Sequence, residues 1–337
     1  MRLIELGDRG WLEFVQGRAD ATLFHHPVWA RLLADCYGYR PLVAALAEHG
    51  ALSAGMPVID VSRPFGGRRW VSLPFTDRCP PLLGENAGDL AAGSVELATS
   101  CKLDLLELRG GLVDHVAIHR DAAFVHHEVA VAANERENWD RLARNHRRNV
   151  RIAERAGVRI VRGVSASDIE TFYSLHLRTR RRLGVPVQPR RFFRLLLDTV
   201  IGQGLGFVLT AYSGAHPVAS AVFGSWNGTL IYKYSARDER FAKLDANYLL
   251  LWSAIRWASE NGYHTFDLGR SNVEQEPLRS FKDGWGAREE PLAYSRISRV
   301  PVRTRAPGFE AAMSLVIRNS APWVCRTVGE LFYRYAT

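Results

Sequence analysis

The chain has 337 residues, 47% of them apolar and 23% charged, with a formal net charge of +9. That balance suits one large or two ordinary globular domains and excludes an intrinsically disordered chain. No run approaches the roughly 18 apolar residues of a membrane span, and the four scattered cysteines form neither a CxxC pair nor a disulfide framework.

Residues 1–15 mix Arg2, Glu5, Asp8 and Arg9 into their apolar positions, which is not the pattern of a secretory signal. A reducing, cytoplasmic setting is expected. The histidines come as adjacent pairs (His25–His26, His126–His127), and neighbours point different ways on either regular element, so no metal site is expected.

In chain order, Trp29, Leu32, Leu33 and Cys36 have helical spacing over 27–37, ending at Gly38. Strands are expected at 42–47, 54–61, 70–73, 112–118 and 125–131. A shift comes at Asn134. From 135 to 156, Trp139, Leu142, Ala143, His146, Val150 and Ala153 recur at spacings of three and four, which predicts one helix stopped by Gly157. A strand at 158–161 and helices at 169–182 and 189–201 follow, the last started by its proline. Strands are then read at 206–212, 218–226 and 230–235. Asp245 is expected to cap a long helix to Glu260, and strands return at 264–268 and 292–297. This order predicts an α+β fold with mostly antiparallel strands and helices on the faces. The stretch 307–337 reads as two short amphipathic helices divided at Ala321–Pro322, with Leu315, Trp323 and Val324 near Arg318 and Arg326. Such helices either pack on the domain or lie on a membrane surface.

Charge is concentrated in one place. Fifteen arginines and no lysine lie between Arg141 and Arg194, against Glu154, Asp168 and Glu170 alone. That segment carries +12 and the rest of the chain −3, so the basicity is local and points to an anionic partner. Arginine grips phosphate or carboxylate with a planar fork, where lysine offers a point charge. On the predicted helix Arg144, Arg147, Arg148 and Arg151 share the face opposite the apolar stripe, as candidate phosphate or nucleic-acid contacts; a solvated helix face would look the same.

The segments FHHPVWARLL (24–33), RRWVSLPFTD (68–77), NHRRNVRIAERAGV (145–158), FYSLHLRTRRRLGVP (172–186), FDLGRS (266–271) and FKDGWGA (281–287) occur in one order over about residues 20–297. With them the chain resembles the GNAT acyltransferase superfamily, and within it the Fem aminoacyltransferases and the BioF2-like acetyltransferases. That resemblance implies tandem GNAT-like domains, divided as 1–134 and 135–300 with a helical tail over 301–337. Each would hold a mixed, mostly antiparallel sheet flanked by helices. It also implies an acyltransferase. In Fem enzymes an amino acid passes from aminoacyl-tRNA to the amine of a peptidoglycan precursor, and the lysine of the FK pair, here Lys282, steadies the transition state. A fixed cation beside the oxyanion of amide formation lowers that barrier; Lys282 could instead form a surface ion pair with Asp283 or Glu289.

Asp267 ends a predicted strand, placed to orient or deprotonate the amine, or else to pair with Arg270 or cap the loop. Arg270 and Ser271 are candidate phosphate or carboxylate contacts. Arg178 and Arg181 gather at a helix end, where cations are also favoured by the helix dipole. Tyr234 and Trp285 are candidate substrate contacts or core plugs. An acetyl-CoA enzyme of this superfamily carries a glycine-bearing loop of the form (Q/R)xxGx(G/A) at a helix N-terminus, where backbone N–H groups bind pyrophosphate. The matching stretch ARDERFAKLD (236–245) has no glycine. The resemblance therefore implies no bound cofactor. The donor would be aminoacyl-tRNA, or alternatively an acyl-CoA used on an amino sugar or polysaccharide precursor; a third reading is a non-catalytic anion-binding protein. The expected partner is tRNA or another phosphate-bearing substrate, with peripheral contact at the inner membrane face open through the tail.

Overall fold

A computed structural model describes residues 1–62, 67–84, 87–299, 314–315 and 317–333, the last including Leu331 and Phe332 as backbone only. Of the first expected tail helix, only 314–315 and 317–320 fall within these residues, with 314–315 and 317–319 helical; the rest lies outside them. Twelve strands form a single sheet in the order β1-β2-β3-β4-β5-β12-β6-β11-β10-β9-β8-β7. In the first half these are β1 (Arg2–Glu5), β2 (Arg40–Glu48), β3 (Ala51–Asp60), β4 (Arg69–Ser72), β5 (Leu105–Leu108) and β6 (His119–Ala130). In the second they are β7 (Arg159–Gly163), β8 (Gly206–Ser213), β9 (His216–Trp226), β10 (Thr229–Arg237), β11 (Thr265–Asn272) and β12 (Arg288–Ser298).

The sheet repeats itself. β1 to β4 pair antiparallel in sequence, and β4 runs parallel to β5. Likewise β7 to β10 pair antiparallel, and β10 runs parallel to β11. The sixth strand of each repeat is exchanged: β12 pairs with β5, β6 pairs with β11, and β6 and β12 pair with each other at the centre. Helices follow the same plan. Between β1 and β2 lie α1 (Arg9–Gln16) and α2 (Pro27–Tyr37), and α3 (Ala87–Ser100) joins the parallel pair. After α4 (Glu135–Arg141) and α5 (Arg144–Arg155), the second repeat places α6 (Ala166–Leu183) and α7 (Arg190–Thr199) between β7 and β8, and α8 (Ala246–Glu260) between β10 and β11.

On one face, α1, α2, α6 and α7 share one core, in which Trp11, Trp29 and Leu32 of the first repeat join Phe172, Phe192 and Phe193 of the second. On the other face the repeats have separate cores, under α3 in the first and under α5 and α8 in the second. The shared core fixes one repeat against the other, because separating them would expose fully buried aromatic rings, each worth about 1.5–3 kcal/mol of burial.

Most expected elements are present, α2 with its limits unchanged and Gly38 in the left-handed conformation that ends it. Four expectations need correction. The strand expected at 112–118 is irregular, Val116 being fully exposed; the strand of that region is β5, in the apolar run before it. The helix expected over 135–156 is two, because Leu142 and Ala143 are extended and Ala143 N–H donates to Gly284 O at 2.9 Å instead of continuing the helix. Asp245 precedes α8 but its side chain caps nothing. The fourth is a set of omissions: β1, α1 and α3 in the first repeat, and α9 (Glu276–Asp283) in a stretch with no long apolar stripe. The last helix, α10 (Pro322–Phe332), packs on α6 and meets the start of α7: Arg181 Nε donates to Ser320 O at 2.5 Å and Arg190 N–H to Glu330 Oε1 at 3.0 Å. Cys325 faces inward, whereas Trp323 and Leu315 remain about two-thirds exposed. Among the described residues no helix is long and apolar enough to cross a membrane.

Two buried histidines make the fold acid-sensitive. His25 Nδ1 accepts from Thr22 N–H and its Nε2 lies 2.7 Å from Pro80 O, while His176 Nε2 lies 2.8 Å from Gln188 Oε1. Burial pushes both imidazoles down from 6.5 to about 4. A group depressed in this way contributes its stability above about 6.5 and loses it as pH falls toward 4. By pH 5 the loss is about 2 kcal/mol each. The melting temperature is therefore expected to drop by several degrees between pH 7 and pH 5, and His176→Gln should flatten that dependence.

Candidate active site

The parallel pair of the second repeat is short. β10 and β11 are in register only from Thr229 opposite Thr265 to Ile231 opposite Asp267; beyond that, β10 continues along β9 and β11 along β6, so the two strands part. A bulge lies at each lip of the opening, between Tyr232 and Tyr234 and between Asp267 and Gly269. A bulge inserts one residue and re-aims the side chains beside it. Ile231 and Tyr234 belong to the shared core and Tyr232 to the opposite one. Lys233 nevertheless lies over the rings of Phe24 and Trp29, 5.3 and 5.9 Å from their centres. The extra residue thus turns Lys233 and Tyr234 toward the same side.

A loop from the first repeat crosses to this opening. Within 73–79, Leu73 and Phe75 hold left-handed backbone (φ 60° and 59°), which costs non-glycine residues on the order of 1–3 kcal/mol each. Side chains of both repeats pin it. Trp29 Nε1 donates to Thr76 Oγ1 at 3.1 Å, Lys233 Nζ to Phe75 O at 3.0 Å and Tyr294 Oη to Asp77 O at 2.6 Å. The result is a carboxylate among cations: Asp77 is 3.8 Å from Lys233 Nζ and 3.6 Å from Arg270 Nε. Burial would raise the Asp77 carboxyl, but Lys233, Arg270 and Lys282 together hold it below the usual carboxylate range. Gly269 serves this approach doubly, since its φ is +70° and a Cβ there would lie 2.9 Å from Asp77 Oδ2.

Lys282, in the last turn of α9, is buried, and its ammonium donates to Gly269 O at 2.9 Å and Arg270 O at 2.8 Å. It makes no ion pair with Asp283 or Glu289; Glu289 is taken by Arg279 at 2.7 Å. Two of its three protons are therefore fixed along the bulged strand, leaving one. Burial lowers its pKa to about 8, against the pull of Asp77 and Asp267. Asp267 is also buried. Its Oδ1 accepts from Gly269 N–H at 2.6 Å and lies 3.3 Å from His126 Nε2. Burial raises its pKa, with His126 opposing. His126 Nε2 is also 3.1 Å from Glu128 Oε1, which accepts from Arg78 at 2.8 Å. Ligand atoms of His126, Glu128 and Asp267 all lie within 4.8 Å of one another, a spacing that could hold a metal ion.

The sequence named Lys282, Asp267 and Arg270, and the structure brings these together. Arg270 donates to Tyr294 Oη at 2.7 Å and stacks on Phe124 at 4.1 Å. Ser271 is buried next to them, its hydroxyl without a partner among the described residues. Tyr234 flanks Lys233 but also packs on Phe192 and Phe193. Trp285 is fully buried against His146 and Tyr248, which closes it off from any substrate. Arg178 pairs with Asp238 at 3.1 Å and Arg181 with the tail, so both are engaged in holding the fold. Asp77, Lys233, His126 and Glu128 were not foreseen. Lys233 had a visible signal, a lysine inside the otherwise apolar strand TLIYKYSA.

Arg144, Arg147, Arg148 and Arg151 line, with Arg136 and Arg155, a groove of about 1030 Å³ along α5. Among the described residues that line it Asp140 is the one acid, 3.8 Å from Arg147. The groove is tied to Lys282 through the backbone of α9: His146 Nε2 lies 2.9 Å from Phe281 O, and Ala143 N–H reaches Gly284 O. Any side chain at Gly284 would collide with His146, which accounts for the glycine. At the start of α8 the charge is opposite. Buried Asp238 is held down to about 2 by hydrogen bonds from Arg240, with Arg178 adding to the effect; Glu239 and Asp245 stand beside it.

Residues 140–282 match a family model described as an acetyltransferase (GNAT) domain. That segment, which carries β7 to β11 and Lys282, is similar to a GNAT acetyltransferase domain. FemX has the same fold, with a TM-score of 0.70 at 13% identity, over 88% of this chain and 97% of that one. L-PGS from Bacillus licheniformis gives 0.55 at 15% identity over 94% and 99% of the two chains. A tandem GNAT protein from the clavulanic acid biosynthesis pathway gives 0.53 at 13%, over 90% and 100%. At these identities the likeness is one of fold, and it extends over both repeats of this chain. None of the curated proteins compared matches the chain.

Proposed function

We propose that this acyltransferase forms amides by moving an aminoacyl group from aminoacyl-tRNA to the amine of a cell-envelope or related precursor. The observation that carries the reading is the Lys282 ammonium, fixed by two carbonyls at the mouth of the parted strands with one proton free. Asp267 takes one proton from the incoming ammonium, the amine nitrogen attacks the ester carbonyl carbon, and the free N–H of Lys282 meets the oxyanion that forms. Collapse breaks the bond to the ribose oxygen, which takes the second proton of the attacking nitrogen as it leaves. Asp77, held ionised by its cations, is suited to holding the incoming ammonium rather than to taking its proton.

Two charge patterns support tRNA as the donor. The arginine groove on α5 is docked onto the helix that carries Lys282. The start of α8, where the pyrophosphate of a CoA would need backbone donors, instead holds Asp238, Glu239 and Asp245, and Arg240 N–H is already spent on Asp238. Binding through four phosphates should fall steeply with salt, by about 10²-fold between 50 and 200 mM. Filter binding with the variant Arg144→Gln/Arg147→Gln/Arg148→Gln should show a shallower salt dependence; an unchanged slope would remove the groove from the reading.

An acyl-CoA donor is the second reading, favoured by the match of residues 140–282 to an acetyltransferase domain. Turnover of acetyl-CoA by the purified protein would establish it. Peripheral membrane contact through exposed Leu315 and Trp323 is compatible with either donor.

A further inference from the structure

We propose that His126 is a positioning residue that passes the proton released by the attacking amine from Asp267 to Glu128, and so out of the site. The inference rests on the amide-forming reading, in which Asp267 is the base. Its chemistry requires an exit. An amine that arrives as ammonium loses two protons on becoming an amide; the leaving ribose oxygen takes one and the other must reach water. Lys233, Lys282 and Arg270 are cations and accept nothing, and Asp77 is held ionised among them. Asp267 is the buried carboxylate of the cluster whose proton affinity is raised.

From Asp267 one path is built. A single nitrogen, His126 Nε2, is 3.3 Å from Asp267 Oδ1 and 3.1 Å from Glu128 Oε1. The proton moves from the Asp267 carboxyl to Nε2, making an imidazolium, and from Nε2 by way of the Glu128 carboxylate to water; His126 and Arg78 hold that carboxyl below its ordinary value, so it passes the proton on rather than keeping it. Strand geometry dictates the arrangement, because His126 and Glu128 are two residues apart on one face of β6, and Asp267 is the register partner of Glu128 on β11. His126 is 3% exposed, whereas the side chain of Glu128 is 36% exposed. His126 and Glu128 line a crevice of about 170 Å³ with Thr265, Arg288 and Glu290, which opens the far end of the path to solvent.

The charged groups around the ring are Asp267 from β11, Glu128 from its own strand, Glu290 opposite it on β12 and Arg78 from the loop. Burial lowers its proton affinity, and the two carboxylates outweigh that and raise it. His127 is buried beside it on the same strand, held toward the neutral form.

His126→Gln keeps a hydrogen-bonding side chain and removes the exchangeable proton. With aminoacyl-tRNA and an amine acceptor, or with acetyl-CoA if that proves to be the donor, kcat is expected to fall about 10²-fold with KM unchanged. Added imidazole should restore part of the rate, and the acidic limb of the pH–rate profile should move. Glu128→Gln should act in the same direction. An unchanged kcat and pH profile would overturn the relay. So would a loss that imidazole does not touch and that tracks a lower melting temperature, or activity that EDTA abolishes, which would assign the three residues to a metal ion. NMR titration of His126 separates this proposal from the underlying reading, since it needs no turnover: its pKa should fall in Asp267→Asn and in Glu128→Gln, and no change in either would sink the path even in an active enzyme.

Discussion

Lys282→Met is expected to lower kcat by about 10²–10³-fold, the usual cost of removing one fixed oxyanion donor, with a much smaller change in KM. Methionine fills the same space without the charge, so the loss reports the ammonium. The pH dependence gives the sign. Because burial lowers the Lys282 pKa to about 8, the protonated form dominates at neutral pH, and kcat should fall as pH rises through about 8. In Lys282→Met that alkaline limb should vanish. Were Lys282 a base instead, the rate would rise over the same interval. Lys282 also satisfies the carbonyls of Gly269 and Arg270, so the melting temperature of the variant must be measured alongside. Lys282→Arg keeps the charge on a wider, planar fork and should recover little of the rate.

Asp77→Asn should be the most destabilising single change in the site, by about 2–4 kcal/mol. Lys233 is 5% exposed and would lose its counter-charge in place, as would Arg270 in part. Removing one partner of a buried pair costs more than the pair contributes, because the remaining charge stays buried. The side chain of Asp77 is about a third exposed, which keeps the effect toward the lower end. Lys233→Met added to Asp77→Asn should restore most of the urea midpoint, since no charge is then stranded. Activity should not return with it, because the ammonium-holding carboxylate is still missing. Full recovery of both would make Asp77 a structural counter-ion and nothing more.

The sequence carried the second repeat well and the first less so. Between 158 and 297, strand and helix periodicities are clean and every expected element is present, because β8 and β9 are buried along most of their length and the helices carry continuous apolar stripes. Periodicity across 135–156 could not reveal the break at Leu142–Ala143, since the apolar spacing runs through it and the cause is the distant Gly284 carbonyl. FDLGRS and FKDGWGA held Asp267, Arg270 and Lys282 because these lie close together along the chain. Asp77 was inside a recognised segment, RRWVSLPFTD, yet nothing local says that it crosses to the other repeat. That follows from a left-handed loop and from the shared core that fixes the two repeats together. His126 was set aside with His127 as a pair pointing apart. The informative spacing was His126 to Glu128, which puts an imidazole and a carboxylate on one face of a strand.

Purified protein incubated with radiolabelled aminoacyl-tRNA and, separately, with labelled acetyl-CoA, each with and without amine acceptors, tests the central claim most directly. The account predicts label passing from aminoacyl-tRNA into an amide, lost in Lys282→Met and weakened by moderate salt. Acetyl-CoA turnover with no transfer from any aminoacyl-tRNA would contradict it, and would reassign the arginine groove to an acidic acceptor.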